Sequence, residues 1–338
     1  MQGKMFHKDD LDALCVLIAE AAKEKKDRKV EVSIQDVQNS GERYTGFLIK
    51  DMGIASSGVS YACPIVNADQ FYGIFAIALD RGNDRRSALQ ETARKIFDLY
   101  EEIPEIKQIA NIAETLKSWD NLKKEVVLRA AGKKKNKEYL EDKPHAVMGD
   151  ICAVYGVEIG LEGGVGFCAI TNEMLENIHV SAKRLHAMAV QNTMKKYPMT
   201  AKPMANVIAS MGVSPQALLE EDQTPMYVLS NDQYINGASC LFYQDFTEAL
   251  TTLIPEGGVI IPSSKHELLY VPCEDNDNLH NIEHMVREIN HDVVSPTDQL
   301  SDKPFVFDGV GLKPEFGKDA FELKFKEGKK KKKKDLTV

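Results

Sequence analysis

Apolar and polar positions alternate between two periods along the chain, and the changes of period divide it into short elements. Near the start, Leu11, Leu14, Cys15, Ile18 and Ala22 recur at helical spacing behind Asp9 and Asp10, which predicts an amphipathic helix capped by one of those aspartates and ending near Lys25 and Lys26. The period then drops to two. Val30, Val32 and Ile34 alternate with polar residues, a turn is written at Asn39-Ser40-Gly41, and Phe47 and Ile49 resume, as a β-hairpin requires. "SYACPIVN" and "FYGIFAIAL" read as further strands, and Ser87 with Gln90 forms a capping box for the helix "SALQETARKIFDLYEEI". Pro104 closes this first unit.

A middle unit follows. "IKQIANIAETLKSW" is helical by period, "EVVLRAA" reads as a strand, and "DICAVYGVEIG" and "VGFCAIT" flank the turn "LEGG". Ser181 caps the helix "AKRLHAMAVQNTMKKY", with Leu185, Met188 and Ala189 on one face. "YPMTAKPM" reads as a proline-marked connection, and Ser214-Pro215 as a helix start. The last unit then runs strand "MYVLS", strand "ASCLFY", helix "FTEALTTLI" capped by Asp245, strands "GVIIP" and "ELLYVP", helix "LHNIEHMVREINH" and strand "PFVFD". Strands in adjacent pairs with helices between the pairs predict an α+β fold of two or three α/β units with mostly antiparallel sheets, rather than a doubly wound parallel sheet. The expected division is 1–104, 105–198, a ββαββαβ unit at 199–328, and a basic disordered tail at 329–338.

Composition narrows the class. At 338 residues, 43% hydrophobic and 28% charged, the chain has the make-up of a soluble globular protein, and no apolar run approaches the roughly 18 to 20 residues of a membrane span. The N-terminus lacks the order of a secretory signal, because "DDLD" precedes its apolar cluster. Cys15, Cys63, Cys152, Cys168, Cys240 and Cys273 stand singly, without a C-x-x-C pair, as expected of reduced thiols in the cytoplasm. The net charge is −9, although Lys329 to Lys334 supply six positive charges, so the remainder carries −15. An acidic body argues against a broad nucleic-acid face; the lysine run alone could touch nucleic acid or an acidic surface.

Three patterns hold candidate chemistry. "HNIEH" matches the inverted zinc-peptidase pattern, in which His280 and His284 would bind zinc and Glu283 would polarise water. Helical spacing sets Ile282, Met285, Val286 and Ile289 on one side, however, and His280, His284 and His291 nearly opposite, so the imidazoles are expected in solvent. In "PSSKHELL", Ser263, Ser264, His266 and Glu267 contain the residue types of a hydrolase. On an extended backbone Ser264 and His266 share a face that Glu267 does not, and no G-x-S-x-G elbow occurs, so a polar hairpin tip is the expectation, with His266 or Glu267 free to contact a partner. Gly160, Gly163, Gly164 and Gly166 precede a strand rather than a helix and therefore read as turn residues, not a phosphate loop. No cofactor is implied. His145, Asp150 and Asn192 could line a pocket but are expected as cap or turn residues, and Trp119 as core.

The ordered segments "PHAVMGDICAVYGVEI", "FCAITNEMLENIHVSAKRLHAMAVQNT", "PMYVLSNDQYINGASCLFY", "VIIPSSKHELLYVP" and "MVREINHDVVSPTDQLSDKPFVFD" resemble DUF5688, an uncharacterised domain family of gut-dwelling Gram-positive bacteria. The resemblance is strongest from Lys143 to Asp308. It implies a bacterial cytoplasmic protein and carries no activity or functional residues with it. The expected function is a non-enzymatic adaptor or chaperone-like interaction module with an unidentified protein partner. The alternative is a hydrolase around Ser263 to Glu267, or a metal-dependent peptidase at His280 and His284.

Overall fold

The computed structural model describes residues 6–39, 42–52, 65–102, 112, 114–161, 164–210, 226–255 and 257–326. Its sheets are antiparallel and its helices lie between them in the chain, an α+β fold. Residues 1–121 with 158–168 form one compact unit, and 122–157 with 169–338 form another. Lys329 to Lys334 and Cys63 lie outside the described residues, as do Ser214-Pro215, Pro104 and the turn residues Ser40 and Gly41.

The first unit is built on helix α1 (Lys8–Lys26), strands β1 (Val30–Asn39), β2 (Glu42–Asp51) and β3 (Ile65–Asn67), and helices α2 (Tyr72–Asp80) and α3 (Arg85–Glu102). The hairpin pairs Val32 with Ile49 and Ile34 with Phe47, in the order β1-β2-β3. Its core joins Leu14, Ile18, Phe47, Ile49, Ile96 and Phe97. Three local readings are corrected. The cap of α1 is His7, and Asp10 instead sits buried within the first turn, where both carboxylate oxygens accept from Arg85 at 2.7 and 3.0 Å. Asp84, not Ser87, caps α3: its carboxylate accepts the Ser87 N–H at 3.0 Å. "FYGIFAIAL" is helical, because Asn67 Oδ1 accepts the Asp69 N–H at 2.9 Å and turns the chain out of β3. Phe71, Phe75 and Ala78 then bury at helical spacing.

The second unit contains helix α4 (Trp119–Glu125) from Leu122 onward, and strands β4 (Val126–Gly132), β5 (His145–Met148) and β6 (Ile151–Leu161) as far as Val157. Strand β7 (Gly164–Ala169), which pairs with β6, belongs to the first unit as far as Cys168. Helices α5 (Asn172–Asn177) and α6 (Ala182–Lys196) follow, and Ser181 Oγ accepts the Arg184 N–H at 3.3 Å as the cap of α6. Next come β8 (Met199–Pro203), α7 (Met204–Ser210), β9 (Tyr227–Asn231), α8 (Phe246–Leu253), β10 (Gly258–Ile261), β11 (Leu268–Val271), α9 (Asn276–Asp292), β12 (Phe305–Phe307), β13 (Leu312–Lys313) and β14 (Lys324–Lys326). One sheet runs β13-β12-β10-β11-β9-β8, and the other β14-β5-β6-β4 with β7 on β6.

The connection "YPMTAKPM" is therefore an edge strand: Met199 to Pro203 pair with β9, and Pro203 sits at the strand end, where its missing N–H costs least. "ASCLFY" is not a strand. Asn231 Oδ1 accepts the N–H groups of Gln233 and Ile235, Asn236 takes the left-handed conformation at φ 53°, and Gly237–Phe242 winds into a wholly buried 3-10 turn. Asp245 precedes α8, but its side chain makes no cap bond. Helix α9 covers one sheet face, where Val259, Ile261, Val271 and Val306 meet Leu279 and Val286. Met285 and Ile289, expected on that apolar side, are instead exposed. Trp119, expected as core, is only half-buried. No helix among the described residues is long and apolar enough to cross a membrane.

His186 on α6 is buried among aromatic rings. Its Nδ1 lies 3.0 Å from the Tyr155 hydroxyl, and its ring meets those of Tyr155, Phe242 and Phe325 edge-on at 5.9, 6.4 and 5.3 Å. Burial lowers its pKa from 6.5 to about 4, because the cage solvates the neutral ring better than the charged one. Below pH 6.5 the unfolded chain takes up a proton that the folded chain refuses, so the contribution is full above that pH and lost on acidification towards about pH 4. The wild type is expected to lose about 3 kcal/mol more stability than His186→Gln between neutral and about pH 4 in urea titrations. Equal losses in the two proteins would contradict this account.

Candidate functional site

The opening between β10 and β11 holds the serine-histidine candidates. Residues 262–265 run beside 298–301: Leu300 N–H donates to the Ser263 carbonyl at 3.1 Å, Lys265 N–H to the Asp298 carbonyl at 2.7 Å, and Ser264 bridges Gln299. Ser264 is buried, and its Oγ accepts the His266 N–H at 3.0 Å. The His266 carbonyl accepts twice, from Ser230 Oγ at 2.7 Å and from Gly237 N–H at 3.0 Å. These bonds pin the tip to the loop after β9.

The His266 ring is about one-third exposed and faces two groups. Its Nδ1 accepts the Asn236 N–H at 3.4 Å, and its Nε2 stands 3.6 Å from Asp298 Oδ1. Asp298 Oδ1 is also 2.6 Å from Lys265 Nζ. Partial burial acts to raise the Asp298 carboxyl, but the hydrogen bond and charge of Lys265, helped by His266, outweigh it and hold the carboxyl below its ordinary range. The structure thus gives His266 an acid, Asp298, that sequence spacing did not suggest. Glu267, which alternation sets on the other face, enters no hydrogen bond or ion pair with His266 among the described residues.

The histidines of α9 divide. His280 Nδ1 lies 2.5 Å from the Asn276 carbonyl one turn back, while His284 Nδ1 lies 3.5 Å from Glu288 Oε1 one turn ahead. Glu283 pairs with Arg287. The exposed rings of His280 and His284 are thus bonded in opposite directions along the helix. Among the described residues no group of three or more His, Cys, Asp or Glu side chains is placed to hold a metal ion.

His280 and Glu283 do line a cavity of about 210 Å³ with Asp150, which the sequence singled out separately. Leu279, Phe305 and Phe321 form its apolar floor, with the two phenyl rings edge-to-face at 5.0 Å; Lys303 and Glu315 complete the polar rim. Gly149, at the turn between β5 and β6, has φ +56°, and a Cβ there would lie 3.1 to 3.3 Å from both rings. Lys303, Glu315 and Phe321 belong to stretches without hydrophobic period, so no sequence signal marked them. The other pocket candidates are structural: His145 is buried on β5 with Nδ1 2.9 Å from the Lys143 carbonyl, and Asn192 donates to the carbonyls of Lys123 and Val126 at 3.0 and 2.8 Å.

By its fold the chain is an α+β protein. The model of a family of unknown function, DUF5688, matches residues 13–309, and the chain belongs to that family. No curated protein and no solved structure matches it significantly.

At the pinned tip, a Cβ on Gly237 would lie 2.0 Å from Ser230 Oγ and 2.5 Å from the His266 carbonyl. Gly237→Ala is expected to cost about 3 kcal/mol or more, by overpacking and loss of the carbonyl's partners. His266→Ala keeps that carbonyl and is expected to cost about 1 kcal/mol at most. Urea denaturation of both variants checks this; similar costs would refute the backbone pin.

Proposed function

We propose that the chain is a non-enzymatic interaction module, an adaptor or chaperone-like binder, that docks a protein partner through a helix face. The observation that carries this reading is the row Met285, Ile289 and Val293 at the exposed side and end of α9, with 41%, 39% and 78% of their surfaces in solvent. These residues recur at helical spacing, so one partner element could cover all three. The same helix spends Leu279 and Val286 on the core, which leaves the row available. A reducing, bacterial cytoplasmic setting belongs to the same proposal. It is supported by the free thiols Cys15, Cys152, Cys168, Cys240 and Cys273, and burial pushes Cys15 up to about 11 and Cys152 up to about 12.

A second reading, a hydrolase around Ser263 to Glu267, is favoured by the His266–Asp298 pair. An imidazole oriented by a carboxylate is the base of a triad, but both ring nitrogens of His266 are already engaged, Nδ1 by the Asn236 N–H and Nε2 by Asp298, and Ser264 Oγ bonds the His266 backbone N–H rather than the ring. In the metal-peptidase alternative, His280 and His284 would hold the ion through Nε2, since their Nδ1 atoms face the Asn276 carbonyl and Glu288, but no group of three or more ligand side chains is placed to hold a metal among the described residues.

Affinity capture from cells that naturally express the chain separates the readings. A specific protein is expected with the wild type and lost with Met285→Glu/Ile289→Glu, whose stability should stay within about 0.5 kcal/mol of wild type because the sites are exposed. Recovery of the same proteins by both baits would remove the helix-face proposal. Hydrolytic activity abolished by His266→Ala in a folded protein would establish the second reading instead.

A further inference from the structure

We propose that the cavity beside the β5–β6 turn is a binding site for an aliphatic primary ammonium group, the chemistry of a lysine side chain. The inference is independent of the helix-face reading. Size comes first: about 210 Å³ is below the roughly 300–1,000 Å³ of pockets that enclose a nucleotide or drug-sized ligand, and it suits one side chain. Charge decides the sign. Asp150 from the β5–β6 turn and Glu315 from beyond β13 bring two carboxylates from separate segments to the rim, against the single lining lysine, Lys303, and Glu283 from α9 lies beside them, already paired with Arg287.

The floor decides between an organic cation and a metal. A hard divalent ion needs about six oxygen ligands around it, whereas Leu279, Phe305 and Phe321 offer hydrocarbon over much of the wall. Those groups suit a methylene stem, and the phenyl faces attract a cation passing over them. Gly149 keeps the rings uncovered: a side chain at that position would press on both. Two sources can supply the ammonium, an external amine or the chain's own Lys329 to Lys334, which follow Lys326 at the end of β14.

Calorimetric titration with N-acetyl-lysine methylamide tests the site in the wild-type chain of 338 residues and in a tail variant of the same length with each of Lys329 to Lys334 changed to Gln. Saturable binding is expected in the tail variant. If it is at least about fivefold tighter than in the wild type, the chain's own lysines are the resident cation; equal or weaker binding assigns the site to an external amine. In the tail-variant background, Asp150→Asn/Glu315→Gln should weaken binding about tenfold or more, whereas Lys303→Gln should tighten it severalfold, a gain that misfolding cannot produce. The proposal is overturned if the tail variant shows no saturable binding, if neither substitution set shifts the affinity, or if uncharged N-acetyl-norleucine methylamide binds as well.

Discussion

The second unit depends on one backbone carbonyl. The His266 carbonyl receives both the Ser230 hydroxyl and the Gly237 N–H, and this double acceptance holds the β10–β11 connection against the end of β9. The approach is so close that only a residue without a Cβ fits at Gly237. From that crossing the chain enters the buried 3-10 turn, where Ser239 Oγ accepts the Ala130 N–H of β4 at 3.2 Å. On the same strand, Leu128 N–H donates to Thr193 Oγ1 of α6 at 2.9 Å. Backbone groups that would otherwise be buried unpaired are thus satisfied by a few small hydroxyls, and both sheets of this unit are anchored on them.

This economy explains why several chemically suggestive residues are structural. Serine, asparagine and histidine suit active sites because they both donate and accept hydrogen bonds, and the same property makes them useful at crossings between sheets. Ser264 is spent on the N–H two residues ahead, and Asn192 on the carbonyls where α4 meets β4. The cavity rim is different in kind. Asp150 and Glu315 gather around an aromatic floor together with Glu283, which is paired with Arg287.

Much of the fold was legible, and the misreadings share a cause. The first hairpin, β4, the β6–β7 pair, α6, β9, β10, β11 and α9 follow the pattern of apolar positions, because each has one face in the core and one outside it. "FYGIFAIAL" and "ASCLFY" were misread because continuous apolar runs have no period; their conformations were set by Asn67 and Asn231, whose side chains turn the backbone just upstream. Met285 and Ile289 failed differently. The apolar stripe of α9 is wider than the groove it fills, so the sheet takes Leu279 and Val286 and leaves the others outside.

By itself the sequence determined the α+β class, the hairpins and the exposure of the late histidines, because these follow from local periodicity and from the need to bury apolar surface. Only the tertiary structure decided which polar groups meet. Asp298 joins His266, and Asp150, Glu283 and Glu315 share one cavity, through strand pairings and loop returns between residues far apart in the chain. Such encounters depend on register and loop path, and neither leaves a mark on the spacing of neighbouring residues.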